Sequence, residues 1–522
     1  MSMIMLAGFL ALVAPVLGPD GAESVRPGDP FRAAALTPPD VRLYIHVNRA
    51  AAIRAEVADR PLATWATNLF GDGQAPQAWA RLAEAVELDG PQLFDTFLGN
   101  AFTVVVRGRE EAAEWAVLTE VDPNDTRLLL SRLDPRVLGP RHRLPIMHLP
   151  EHELQLAFSG RLLLIGPEPQ SGLFDEMVPN LVMPPQDCLA NDPAIAQARE
   201  LGGGGAGLFM RHEPPMGGWS VAVADLHGPR ISLRYAARFD HAPFTTAPTK
   251  LQWDLTPIHN LRGKTALAFM EPTDVSGGPL DAFLQVALGK ALITPDMRRN
   301  LGPRRLTVLG ELDGRLENRR FDLLLPTVAR VYEVMDGDQA WAQLDEQMVG
   351  LVATFNNLGE NAFELDVPDP ALFEAGRPRR VEVGPAARWL LGDIPGVERV
   401  SLNWTVVEGQ LGSWSVIASD PGHLATITEA LSVAPAGEPI VGPWESSGTA
   451  DGPRLASIVR SWGDRADVLA EPGRVDDLRS ALLFFSAFGQ GIQRCDWQMT
   501  RPSANQVLLE AQLTLTAPDS SR

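Results

Sequence analysis

Histidines and acids crowd one short stretch of the chain: His142, His148 and His152, with Glu151 and Glu153 beside them. Two imidazoles and a carboxylate suit a borderline metal, and a turn at Pro150 could bring His148 against His152. The same letters have a plainer use. In HELQLAF polar and apolar residues alternate, so the polar ones supply the wet face of a hairpin, and nothing in the chain makes a metal necessary for folding. Gly202 to Gly207 satisfies G-x-G-x-x-G, but a dinucleotide site needs a strand before that motif and a helix after it. Here a helical pattern precedes and the strand-like GLFMRH follows, so the glycines read as a helix stop and flexible joint. Gly263-Lys264-Thr265 has the letters that end a phosphate loop, yet Ile258 stands where its first glycine belongs, and the segment reads as a strand start. Asp336-Gly337-Asp338 lacks the third acid and distal glutamate of a calcium loop, which leaves Asp338 as a helix N-cap. The sequence contains no G-x-S-x-G elbow, H-E-x-x-H or paired C-x-x-C. Asn124-Asp125-Thr126 and Asn403-Trp404-Thr405 have the form of glycosylation acceptors. The sequence therefore nominates no catalytic, cofactor-binding or metal-ligating residue and no cofactor. A motif-free site assembled from distant residues stays open.

The elements that would position any such site are easier to read. Trp219 to Phe239 and Trp497 to Leu515 each hold a tryptophan-led strand, a turn and a strictly alternating strand. Ile231, Leu233, Tyr235, Ala237 and Phe239 oppose Ser232, Arg234 and Arg238; Val507, Leu509, Ala511, Leu513 and Leu515 oppose Glu510, Gln512, Thr514 and Thr516. Period-two alternation marks antiparallel sheet with one buried face, and the apolar set is expected to face helices. VRLYIHV at 41–47 sets Val41, Leu43, Ile45 and Val47 against Arg42, Tyr44 and His46. Helical patterns follow at 49–58 and 76–88, a hairpin at 101–108 and 114–122, a helix in PNDTRLLLSRL, strands at 144–150 and 154–167, and helices at 172–181 and 193–200. Asp192 caps the last of these and Pro193 opens it.

The same order recurs downstream. KTALAFMEP opens it, LTVLGELDG with RRFDLLLPT answers the first hairpin, and a helix from Asp338 to Phe355 carries Trp341, Leu344, Met348, Val352 and Phe355 on one stripe. VERVSLNWTVVEGQLGSWSVIAS matches the 154–167 hairpin, Asp420-Pro421 caps HLATITEAL, and PRLASIVRSW parallels the 193–200 helix ahead of ALLFFSAF and the last hairpin. The fold class expected is α+β in two duplicated halves, 38–245 and 250–518, each an antiparallel sheet with helices packed on one face.

Composition bounds the function. The chain has 522 residues and a net charge of −20, which excludes nucleic acid and disfavours an anionic membrane surface, since both need a clustered basic face. Residues 1–18 carry an apolar run broken by Pro15, shorter than a membrane span and suited to a secretory leader. Residues 19–37, rich in Pro, Gly and Ala, read as a tether. Cys188 and Cys495 are expected as two lone buried thiols rather than a disulfide framework.

LTPPDVRLYIHVNRAAAIRAEVADRPLA, with the strand pair ending in EWAVLTEVD, resembles exported bacterial proteins grouped under domains of unknown function. The resemblance implies export and a non-enzymatic role, and it brings no catalytic residues. The function expected is a non-catalytic binding or interaction module of the cell envelope: periplasmic, secreted or tethered at the membrane surface. Its partner would be an envelope protein or an extracellular ligand, with membrane contact at most through the N-terminal segment. The alternative is a hydrolase-like envelope enzyme with a dispersed site.

Overall fold

The computed structural model of the chain describes residues 28–57, 60, 88–108, 113–133, 136–141, 144–149, 153–167, 172–202, 204–242, 252–273, 295–318, 323–357, 363–367, 377–383, 401–409, 411–434, 441–469 and 473–517. The apolar leader, the helix expected at 76–88, and His142, Glu151 and His152 lie outside the described residues. The chain divides into two compact units, residues 1–247 with 501–522, and residues 248–500. Each mixes helices with an antiparallel sheet, so the α+β class holds.

The first unit contains β1 (Leu43–Asn48), β2 (Ala101–Arg107), β3 (Glu114–Glu120), β4 (Arg136–Arg141), β5 (Leu144–Leu149), β6 (Leu154–Ser159), β7 (Leu162–Pro167), β8 (Ala206–Arg211), β9 (Trp219–His227) and β10 (Arg230–Arg238). All pairings are antiparallel, in the order β4-β5-β6-β7-β3-β2-β1-β8-β9-β10. Beyond β10 lies the strand Gln506–Leu515, with Arg234 opposite Glu510. The strand expected to close a 250–518 half therefore extends the sheet of the first unit.

Helices α1 (Ala50–Val57), α2 (Gly90–Phe97), α3 (Pro123–Leu133), α4 (Gly172–Asn180) and α5 (Pro193–Glu200) complete the unit. The Asp192 carboxylate accepts the Ala194 N–H at 2.8 Å, which is the expected cap of α5. Helices cover both faces of the sheet, not one. Phe31, Tyr44, Val105, Phe174, Ile195 and Val223 share one core, while Leu93 and Phe97 of α2 pack on Leu149, Leu156 and Leu163 in another. The reason is local: β5 to β7 carry apolar residues at successive positions, so neither face can be left wet.

Two further expectations change. The alternation of β10 holds, but Ala236, with Val221 and Val223, faces the helix-side core, and Ile231, Leu233 and Ala237 are buried on the opposite face. Arg234 is tolerated on the helix side because Asp225 accepts from its guanidinium at 2.8 Å. The tether expected over 19–37 does not extend through 28–37. Phe31 and Ala34 are fully buried, and Arg32–Leu36 forms a 3-10 turn.

The second unit runs β11 (Trp253–Asp254), α6 (Thr256–Leu261), β12 (Leu267–Pro272), α7 (Pro295–Asn300), β13 (Leu301–Asn318), β14 (Leu323–Val334), α8 (Gly337–Asn356), β15 (Phe363–Asp366), β16 (Arg379–Val383), β17 (Ser401–Gly409), β18 (Gly412–Ala418), α9 (Pro421–Ser432), β19 (Val441–Gly442), β20 (Ser446–Asp451), α10 (Gly452–Asp464), α11 (Ala466–Leu469), α12 (Val475–Gly491) and β21 (Ile492–Ser503); the final strand Gln506–Leu515 is β22. Its sheet order is β15-β16-β17-β18-β14-β13-β12-β20-β21, again antiparallel, with β11 and β19 a separate two-residue ribbon. Helices α6 and α9 bury one face around Trp253, Met270, Leu306 and Trp414, and α8 buries the other around Trp404 and Ile417.

ALLFFSAF lies inside α12, and the strand beside β12 is Ser446–Asp451, which precedes PRLASIVRSW rather than following it. A short apolar run does not by itself separate strand from helix. The α8 cap is Asp336, whose carboxylate accepts the Gln339 N–H at 2.9 Å, and not Asp338.

Candidate functional site

Cross-strand neighbours on a sheet share a face, and in the first unit this rule gathers polar residues that sequence reading kept apart. His46 on β1 stands opposite Thr103 on β2 and opposite Gly207 on β8; Thr103 in turn faces Leu118 on β3. One step along the strands, Asn48 pairs with Ala101 and Glu120 pairs with Leu162. Of these residues His46, Ala101, Thr103, Leu118, Glu120 and Leu162 line a cavity of about 230 Å³, roofed by Arg32, Ala33 and Leu36 of the 3-10 turn.

The roof is held by local chemistry. Asp29 accepts the Phe31 N–H at 2.8 Å, and the Tyr44 hydroxyl donates to the Pro30 carbonyl at 3.2 Å. The Phe31 and Tyr44 rings stack at 5.7 Å. Gly207 makes the approach feasible, because a Cβ there would lie 2.9 Å from Pro30 and 3.0 Å from Phe31. The glycine run expected to be a joint is thus a helix stop at Gly202, with φ +98°, followed by close packing: Gly207 is a residue of β8 inside the core layer.

Within the floor, a Thr103–His46–Asn48 relay is closed. The Asn48 amide nitrogen points to the Gly204 carbonyl at 3.5 Å, which turns its oxygen toward His46 Nε2 at 2.9 Å. His46 Nε2 therefore donates, and Nδ1 accepts the Thr103 hydroxyl at 2.7 Å. Burial pushes the His46 imidazole down to about 4, with the Asn48 hydrogen bond opposing it and the Arg32 charge acting in the same direction as burial. The ring is neutral at ordinary pH. Burial, reinforced by the Asp29 charge, pushes the Tyr44 phenol far upward. At the rim Arg32 and Glu120 form an ion pair at 2.7 Å with each side chain near two-fifths exposed. Thr119 donates to the Ala101 carbonyl at 3.0 Å and also to that of Phe97.

The second unit pairs other residues across its strands. Met270 stands opposite Leu306 and Leu306 opposite Val331, while Glu333 stands opposite Trp414. Trp414 is fully buried. Arg304 lies over its ring, 5.0 Å from the centroid, and grips Glu333 through two bonds of 2.9 and 2.5 Å.

Other sequence candidates resolve individually. Among the described residues no group of three or more His, Cys, Asp or Glu side chains is arranged to hold a metal. Gly263-Lys264-Thr265 is the turn after α6, two residues short of β12, with Lys264 paired to Glu429 at 3.2 Å. Asn403 is fully buried and donates to Ser401 and Ala418. Cys188 and Cys495 are free thiols, and burial together with Asp496 pushes the Cys495 thiol up to about 12. Among the described residues no helix is long and apolar enough to cross a membrane.

His46 escaped sequence reading because VRLYIHV assigns it to a wet face. The available signal was the spacing of two hydrogen-bonding side chains, His46 and Asn48, on one face of a strand.

No family model matches the chain, and no curated protein matches it. Among solved structures the chain is similar to three crystal forms of TP0453. Form III shares 11% identity over 42% of this chain and 83% of that chain, with a TM-score of 0.27. Form IV shares 11% over 41% and 81%, at 0.26; form I shares 13% over 42% and 82%, at 0.25. At those scores the likeness carries no functional inference.

Proposed function

We propose that the chain is an exported, non-catalytic binding module of the cell envelope, built from two copies of one α+β unit, and that its first copy holds a small extracellular ligand in the cavity under Arg32–Leu36. The observation that carries the reading is the cavity itself: apolar walls from Leu36, Leu118 and Leu162, a hydroxyl and imidazole floor, and an ion pair at the rim. Concave, mostly apolar sites with a few convergent polar groups are the usual form of small-molecule sites. Binding is favoured over catalysis because both His46 nitrogens are engaged, leaving no free lone pair or proton for a substrate.

Shared strand order supports the duplication. Reading β1–β7 as β12–β18 and β8–β9 as β20–β21, β4-β5-β6-β7-β3-β2-β1-β8-β9 becomes β15-β16-β17-β18-β14-β13-β12-β20-β21, with the ribbon strand β19 left without a counterpart. The helices depart from this scheme, since α5 precedes β8 whereas α10 to α12 follow β20.

The test is calorimetric titration of the full chain with small amphiphiles, beside Leu118→Phe, which fills the wall of the cavity. Saturable binding by the wild type that Leu118→Phe abolishes, with the near-UV spectrum retained, is the expected result. Binding untouched by the substitution refutes the site, and fractionation that finds the full-length protein in the cytoplasm refutes export.

A further inference from the structure

Resting on the duplicated-unit, cavity-binding reading above, we infer that the ligand is a flat aromatic molecule of one or two rings with a hydrogen-bond donor on its edge, held beneath the Arg32 guanidinium. The second unit shows what that place accepts. Aligning β1, Leu43–Asn48, end to end with β12, Leu267–Pro272, and following the strand pairings sets His46 against Met270, Thr103 against Leu306, Leu118 against Val331, Glu120 against Glu333 and Leu162 against Trp414. Glutamate is the same in both. Where the first unit has Leu162 and a cavity, the second has a fully buried indole.

The cation is also common to both, although it comes from different elements. Arg304 of β13 lies over the Trp414 ring while bonded to Glu333; Arg32 of the 3-10 turn bonds to Glu120 at the cavity rim. A guanidinium over an aromatic face is attracted by the ring quadrupole, more so when desolvated. The second unit thus carries, within its own chain, an aromatic ring under a glutamate-bound arginine, and the first unit carries the glutamate, the arginine and the space.

Size agrees. A cavity of about 150 Å³ lined by apolar side chains takes benzene, so about 230 Å³ suits a single substituted ring or a fused pair. The floor specifies the edge. Met270 and Leu306 ask nothing of the Trp414 ring, whereas Thr103 spends its proton on His46 Nδ1, also meets the Tyr44 hydroxyl, and has one acceptor lone pair left for a ligand. A ring N–H or phenolic O–H satisfies it, and a bare hydrocarbon edge does not.

Indole, 1-methylindole and octan-1-ol, titrated calorimetrically into the full chain, separate the possibilities. Indole is expected to bind at one site, and 1-methylindole, which lacks the donor, about tenfold more weakly. Leu162→Trp, which installs the residue the second unit already accommodates, should abolish indole binding while raising the melting temperature. In the converse variant, Trp414→Leu, indole should restore melting temperature lost to the opened cavity. If Trp414→Leu does not fold, the Leu162→Trp arm decides alone. Octanol binding that Leu162→Trp abolishes, with indole silent, overturns the aromatic inference and leaves the binding reading standing. Equal affinity for indole and 1-methylindole overturns the donor requirement. Failure of all three probes on the wild type counts against the cavity as a binding site and removes both.

Discussion

Neutral His46 makes the stability of the first unit depend on pH in a way that can be worked out. Its side chain is 2% exposed, and burial, the largest cause, brings its protonation down to about 4 from the ordinary 6.5. The unfolded chain takes up this proton near pH 6.5 and the folded unit near 4, so between those values the unfolded state binds more protons and stability rises with pH. The contribution is complete above about 6.5 and is lost as pH falls to about 4. At 1.36 kcal/mol per pH unit the whole interval is worth about 3 kcal/mol, of which about 2 kcal/mol disappears between pH 7 and 5. Carboxylates, and His423 of the second unit, also held near 4 by burial, titrate over the same range. Urea unfolding should therefore be followed on the wild type and His46→Gln in parallel, and only their difference read at each pH. The stability of the wild type relative to the variant is expected to fall by about 2 kcal/mol from pH 7 to 5. A difference that stays constant would show that His46 is solvated in the fold, and one that grows as pH falls would show that it is charged there; either makes the closed relay wrong.

Three further substitutions address the packing around the cavity and the ion pairs of the second unit. Phe31→Ala removes a fully buried ring that supports the cavity roof and should cost about 3–5 kcal/mol in chemical unfolding; a cost below about 1 kcal/mol would mean that residues 28–37 are a tether after all. Arg304→Ala breaks an ion pair whose side chains are 14% and 19% exposed and should cost about 2 kcal/mol by urea unfolding. Arg380→Ala, whose partner Asp366 is 56% exposed, should cost less than about 1 kcal/mol. Equal effects would show that burial does not set the worth of these pairs.

Periodicity made the strands legible because a one-residue slip moves every side chain to the other face. The strands at 219–227, 230–238 and 506–515 stand where alternation sets them, and Asp192 and Asp420 cap their helices through the bonds their positions imply. What alternation does not encode is which buried face meets which layer. Ile231 and Leu233 are buried, but the helices lie on the side of Ala236, because Arg234 finds Asp225 there and Gly202 beside it presents no side chain. Nor does local sequence reveal a partner far along the chain. Thr103 lies 57 residues from His46, and the strand beside β1 is β8, reached after some 160 residues of intervening chain. Sheet topology creates the site, and topology depends on pairings that no single segment states.

The contrast between Leu162 and Trp414 gives the cavity its meaning on the reading that the two units are copies. Closed and dry, a void of about 230 Å³ would cost about 5.5 kcal/mol at 24 cal/mol per Å³, a large fraction of the stability of a typical domain. The polar floor and the exposed rim let water in and reduce that cost without removing it, since water gains little against Leu36, Leu118 and Leu162. A cheaper packing lies within reach of one substitution, because the second unit fills the equivalent place with an indole, and Met270 and Leu306 line it without any polar group to satisfy. Retaining Leu162, Ala101, Thr103 and His46 together keeps the space open and its floor polar at the same time. Stability alone would select against that combination, whereas occupancy by a ligand, which adds its own binding free energy to the folded state, favours it.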